Sequence, residues 1–170
     1  MPTISDNVVV AVVAVSGALG AAIDLRSRRV PNWLTLGITL TGLTLAVVRV
    51  SGLSLGAAFA GFALGLAVML PGHLIGATGA GDVKFLAALG TLLGPKATIF
   101  AFVYSAIAGG VLAVAVATQR RTLDATMART AMLVRSRGAN VAEIERATIN
   151  NRFAYAPAIA IGAVVAALGF

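Results

Sequence analysis

"GDVKFLAALGTLLGPK", Gly81 to Lys96, holds a short apolar run between a charged opening and a Gly-Pro-Lys stop. Whether that run crosses a membrane decides how the rest of the chain is arranged. Val83 to Gly94 covers only about 18 Å at about 1.5 Å per residue, against a hydrocarbon core of about 30 Å. It reads either as a re-entrant segment or as a short crossing whose start is sunk below the surface.

The setting is a membrane. The 170 residues are 59% hydrophobic and 11% charged, with mean hydropathy +0.96. A soluble domain is roughly half apolar and a quarter charged. With the short run at about 83–94, the apolar stretches lie at about 7–23, 33–50, 55–75, 98–117 and 153–170, separated by Gly, Pro and Arg. Met1 to Asn7 carries an acid and no Lys or Arg. It therefore lacks the basic opening of a cleaved signal peptide, and the first stretch is expected to stay as a helix.

Charge decides between the two readings of Val83 to Gly94. With every stretch crossing and the N-terminus outside, the inner loops hold Arg26, Arg28, Arg29, Lys84, Arg120, Arg121, Arg129, Arg135, Arg137, Arg146 and Arg152, and the outer loops only Arg49 and Lys96. That is the bias of cytoplasmic loops. Were the short run not to cross, either the Arg-rich 118–152 loop or the Arg26 to Arg29 loop would fall outside. The expected fold is all-α: a polytopic six-transmembrane-helix bundle, one domain over 1–170, in the cell inner membrane. The net charge of +7 then anchors the loops to an anionic leaflet. The lipid bilayer is the expected partner, and nucleic acid is not.

With no cysteine and a single histidine, disulfides, thiolate nucleophiles and a Ser-His-Asp triad lose their residues, and no metal or cofactor is expected. The acids are Asp6, Asp24, Asp82, Asp124, Glu143 and Glu145. Two of them share a membrane face. "DLRSRRVPN", Asp24 to Asn32, follows the first stretch, and "GAGD", Gly79 to Asp82, precedes the fourth; both are cytoplasmic in the expected topology. Asp24 follows the apolar run ending at Ile23, and Asp82 opens the short helix, so both lie near the hydrocarbon boundary. Carboxylates there are costly and usually face a bundle interior or a water-filled cavity.

Two neighbouring carboxylates do not both ionise easily, so they share a proton. The ionised member takes a proton from water while the protonated member polarises a carbonyl, which is aspartic protease chemistry. Gly79 and Gly81 leave room for a peptide or a neighbouring helix beside Asp82. Pro31 and Asn32 suit the start of the second helix, Asn32 as a capping side chain, with Trp33 in the interfacial belt.

Asp24 with its basic stretch and Val30-Pro31-Asn32, together with Gly79-Ala80-Gly81-Asp82-Val83-Lys84, resembles the prepilin peptidase family of membrane aspartic proteases, marked by an early aspartate before an Ile-Pro-like turn and a GxGD motif. "YAPAIAIGA", Tyr155 to Ala163, resembles that family's final helix. The resemblance implies a catalytic pair, Asp24 and Asp82. It also implies a substrate, a type IV prepilin or pseudopilin precursor whose leader is cut on the cytoplasmic side. The larger members carry a cysteine-bearing insert and a methyltransferase activity. Here about nine residues join the first two helices and cysteine is absent, which resembles the short, peptidase-only form, such as the enzymes of tight-adherence (Flp) pilus systems or the archaeal preflagellin peptidases.

The residues also bear plainer readings. Asp82 suits the cap of a helix beginning at Val83, and Asp24 a loop residue pairing with Arg26 or Arg28. Lys84 reads as a side chain snorkelling to headgroups, and His73 as a hydrogen-bonded residue near the end of helix three, beside a kink at Pro71 and Gly72. Gly61 with Gly65, and Gly52 with Gly56, have the spacing of close helix packing. Leu123, Met127 and Val134 recur at helical spacing among arginines, so part of 118–152 is expected to lie as an amphipathic helix on the inner leaflet, its acids solvated. A proton-coupled transporter and a non-enzymatic secretion subunit remain as rival functions. The transporter would place acids near the midplane with repeat symmetry, and the subunit would tolerate Asn at both aspartates.

Overall fold

The computed structural model describes residues 4–76, 78–119 and 155–169. Its helices are α1 (Ile4–Ser27), α2 (Asn32–Val47), α3 (Leu55–Leu74), α4 (Ala80–Gln119) and α5 (Ala156–Ala167), and no strand occurs among the described residues. Three segments are long and apolar enough to cross a membrane: Asn7–Ser27, Leu55–Leu74 and Ala80–Ala115. The protein is a helical membrane protein.

Taken as one straight rod, α4 would put residues 82 and 109 about 40 Å apart. Yet the Tyr155 ring fills the space beside Gly109, and the next residue, Ala156, bonds to Asp24, one turn beyond the Gly20 that packs on Phe85. Gly94 resolves this, because its φ of 72° and ψ of 175° are not helical. The chain folds back there, and Pro95, with no N–H to give to the preceding turn, starts the return. Among the described residues α4 thus consists of two helical parts, while α2 and α5 are shorter than the spans read at 33–50 and 153–170.

Residues 80–93 form the centre of the bundle. Every residue from Phe85 to Gly94 is buried, because three helices close on them through glycines. A Cβ at Gly20 of α1 would overlap the Phe85 ring, one at Gly42 of α2 would overlap Thr91, and one at Gly65 of α3 would come within 2.7 Å of the Ala87 Cα. This answers the puzzle of length. A helix that is apolar all round and jacketed by protein need not match the thickness of the lipid. The outward faces carry Val15, Leu19, Leu40, Phe59, Ile107 and Val111, all exposed, a surface suited to lipid rather than water.

Three boundaries correct the sequence reading. α1 runs through Ser27, so Asp24 sits in its last turn and only residues 28–31 lead to α2. Arg28, with φ of 52°, takes the left-handed position usual just past a helix end, and its N–H closes on the Asp24 carbonyl at 2.7 Å. α2 ends at Val47, where Val48 and a left-handed Arg49 close it. α4 begins at Ala80, not at Val83. Pro71 lies inside α3, which continues to Leu74. The amphipathic segment expected within 118–152, with Asp124, Glu143 and Glu145, lies outside the described residues beyond Gln119, as does the Asp6 side chain.

Candidate active site

Asp24 is 5% exposed at the end of α1. Its Oδ2 accepts the backbone N–H of Ala156 at 3.2 Å, not a contact from Arg26 or Arg28, which are exposed. Ala156 is the first residue of α5, whose N-cap Tyr155 makes no side-chain cap bond. The first N–H groups of a helix have no partner within it, and Asp24 serves one of them from across the bundle.

Asp82 is half-buried as the third residue of α4. Its Oδ2 accepts the Gly79 N–H at 3.2 Å, and the Asp82 and Val83 N–H groups donate to the Gly79 carbonyl at 3.1 and 3.3 Å. This is the returning half of a capping box, with glycine in place of the capping Ser or Thr. The expected capping role is real but is exercised backwards, from inside the helix. A Cβ on Gly79 would stand 3.1 Å from Asp82 Oδ2, so a bare residue suits that bond.

The two carboxylates lie at the same end of the bundle, where α1 finishes and α4 begins, with Asp24 near enough for its charge to act on Asp82. The loops behind them interlock. A Cβ at Gly81 would lie 3.3 Å from the Val30 N and 3.5 Å from its Cβ, so glycine lets the 28–31 turn approach the start of α4. Lys84 Nζ donates to Asn32 Oδ1 at 3.1 Å. Asn32 therefore does not cap α2, whose N-cap is Pro31 with no side-chain bond, and Lys84 has a polar partner besides headgroups. Spacing alone gives no sign of a contact between residues 52 positions apart. Trp33 is 66% exposed on the first turn of α2.

In the sequence Tyr155 carries no sign of a role beyond opening the stretch that resembles the family's final helix. Its hydroxyl donates to the Ser105 carbonyl at 3.1 Å. On the other flank, His73 Nδ1 and the Thr78 carbonyl are 3.1 Å apart and brace the turn between α3 and α4. Thr78 Oγ1 is buried without a hydrogen-bond partner among the described residues. Among the described residues no three His, Asp or Glu side chains gather to hold a metal ion.

The apolar helices are those of a membrane protein, and they bring two acids, Asp24 and Asp82, to one end of the bundle. The profile of the type IV leader peptidase family matches residues 11–114, well over half the chain and spanning both aspartates. The chain belongs to that family, and the match supports a leader peptidase activity. No curated protein and no solved structure matches it.

Proposed function

We propose that the protein is an aspartic endopeptidase that cuts the leader from type IV prepilins or related pseudopilins at the cytoplasmic face of the inner membrane. Asp24 and Asp82 are its catalytic pair, in a single domain with six crossings and the N-terminus outside. The observation that carries this reading is the convergence of the two carboxylates within the family-matched region.

Each aspartate has one oxygen engaged by a backbone N–H, Asp24 by Ala156 and Asp82 by Gly79. Among the described residues the other oxygen of each makes no hydrogen bond. Two such oxygens suit a shared proton and a water between them. The ionised carboxylate takes a proton from the water, whose oxygen adds to the scissile carbonyl. The protonated carboxylate gives its proton to the carbonyl oxygen. On collapse of the tetrahedral intermediate the carboxyl that took the water's proton passes it to the leaving nitrogen, the C–N bond breaks to free the amine of the mature N-terminus, and a hydroxyl proton of the intermediate returns to the other carboxylate. Placement at one end of the bundle supports a substrate that presents its cleavage site at the membrane surface, and it speaks against a transporter with acids at the midplane.

The test is co-expression of the protein, native and as Asp24→Asn and Asp82→Asn, with a pilin precursor encoded near it, followed by mass spectrometry of the membranes. Shortening at one site by the native form alone, with equal insertion of all three, supports the pair. Cleavage by either Asn variant removes it.

A further inference from the structure

The start of α5 is the least explained part of the site, because it lies beyond the family-matched residues and yet touches Asp24. Asp24 is nearly fully buried, and the engaged oxygen of its carboxylate is aimed by one donor, the Ala156 N–H. Whatever fixes that N–H fixes the carboxylate. Within α5 the Tyr155 carbonyl accepts the Ala158 and Ile159 N–H groups at 3.0 and 3.2 Å, which holds the peptide unit carrying the Ala156 N–H to the helix, while Tyr155 gives no side-chain cap. The first turn is tied to the rest of the bundle from outside. The Tyr155 hydroxyl bonds to the Ser105 carbonyl in the returning half of α4. Its ring is seated where Gly109 has no Cβ, so that a methyl group there would overlap the ring.

We infer that Tyr155 is a positioning residue for Asp24: its hydroxyl ties the start of α5 to the Ser105 carbonyl and so holds the Ala156 N–H where it orients the Asp24 carboxylate. The chain of contacts runs from Gly109 and Ser105 through Tyr155 and Ala156 to Asp24, and every link in it is a neighbour in sequence or a direct contact. A misplacement of about 1 Å at a reacting group costs about 100-fold in rate, so a hydroxyl that never meets the substrate can still govern turnover. The kinetic part of this inference rests on the proposed peptidase reading. The structural part does not.

The experiment uses the full chain reconstituted in liposomes, with the pilin precursor as substrate, and compares Tyr155→Phe, Gly109→Ala and a control, Tyr104→Phe. Tyr104 stacks on Phe100 instead of joining the site. Amide exchange at Ala156 is measured on the same proteins and on Asp24→Ala. Tyr155→Phe and Gly109→Ala are expected to lower kcat about 10- to 100-fold with KM unchanged, and to speed exchange at Ala156 as Asp24→Ala does. Tyr104→Phe should do neither. Native kcat in Tyr155→Phe overturns the inference, and so does a loss of kcat in which Ala156 stays protected. If the native protein leaves the precursor uncut, the peptidase reading falls; the exchange data then decide the positioning chain by themselves.

Discussion

Gly61 of α3 and Gly90 of α4 pack backbone against backbone: a Cβ on either would overlap the carbonyl oxygen of the other. Helices in lipid gain little from the hydrophobic effect, so close approach of backbones is what holds them together. Gly61→Ala sets two effects against each other. Alanine improves helix propensity by about 1 kcal/mol, whereas overpacking a tight core costs about 1–3 kcal/mol. Here the obstacle is backbone that cannot turn aside, so the cost wins. Gly61→Ala is expected to lower the thermal midpoint in detergent, while Gly37→Ala, with open space around it, holds or raises it. Equal midpoints for the two would remove the packing argument.

Gly94 reverses the chain in a conformation that is essentially closed to other residues. A side chain there would also bring its Cβ to 2.9 Å from Leu53 Cδ2. Gly94→Ala is expected to destabilise the protein by about 2 kcal/mol or more, read as a lower unfolding midpoint. An unchanged midpoint would mean that the return of α4 does not depend on that backbone geometry.

The central helix shows what could be read in the sequence and what could not. Its all-round apolar character and its Gly-Pro stop are local, and they yield a short helix followed by a reversal. Charge bias groups the loops of Asp24 and Asp82 on one expected side, and the helix ends that carry the two acids lie at one end of the bundle. The partners they use were not identifiable. Ala156 and Gly79 contribute through a backbone N–H, and no residue type announces such a role. Helix ends were misjudged for a related reason: Asp24 and Gly81 look like loop residues, but packing at the site extends α1 and α4 over them.

On the proposed reading Asp24 combines two roles that substitutions can separate, reaction and acceptance of the Ala156 N–H. Asn retains an oxygen for the Ala156 N–H, and Ala does not. Asp24→Asn is therefore expected to fold with native stability and to lose cleavage by at least about 1,000-fold, the scale on which removal of one member of a catalytic unit acts. Asp24→Ala should lose cleavage equally and also about 1–3 kcal/mol of stability, from a buried donor left unpaired. Cleavage rates and unfolding midpoints of the two variants together check this. If Asn destabilises as much as Ala does, the bond to Ala156 is not what the carboxylate contributes to the fold.

The Lys84–Asn32 bond joins the two motif loops on an exposed face, where such contacts are worth less than about 1 kcal/mol. Lys84→Met and Asn32→Leu should each slow cleavage only a few-fold, and the double variant no further, because one bond is lost in every case. Additive losses in the cleavage rate would show that the two residues act separately.

The dependence of cleavage on pH should carry the mark of the pair. Two carboxylates that share a proton give it up and take it on in coupled steps, and the active form holds one proton between them. Cleavage of precursor in liposomes should therefore fall on both sides of an optimum, on the acid side as the second carboxylate is protonated and on the alkaline side as the shared proton is lost. The two midpoints belong to the pair, so moving one carboxyl by a methylene in Asp82→Glu should shift both limbs. A rate that changes through a single step, or a variant that shifts one limb alone, would mean that Asp24 and Asp82 do not titrate as a unit, and the shared-proton mechanism would have to be given up.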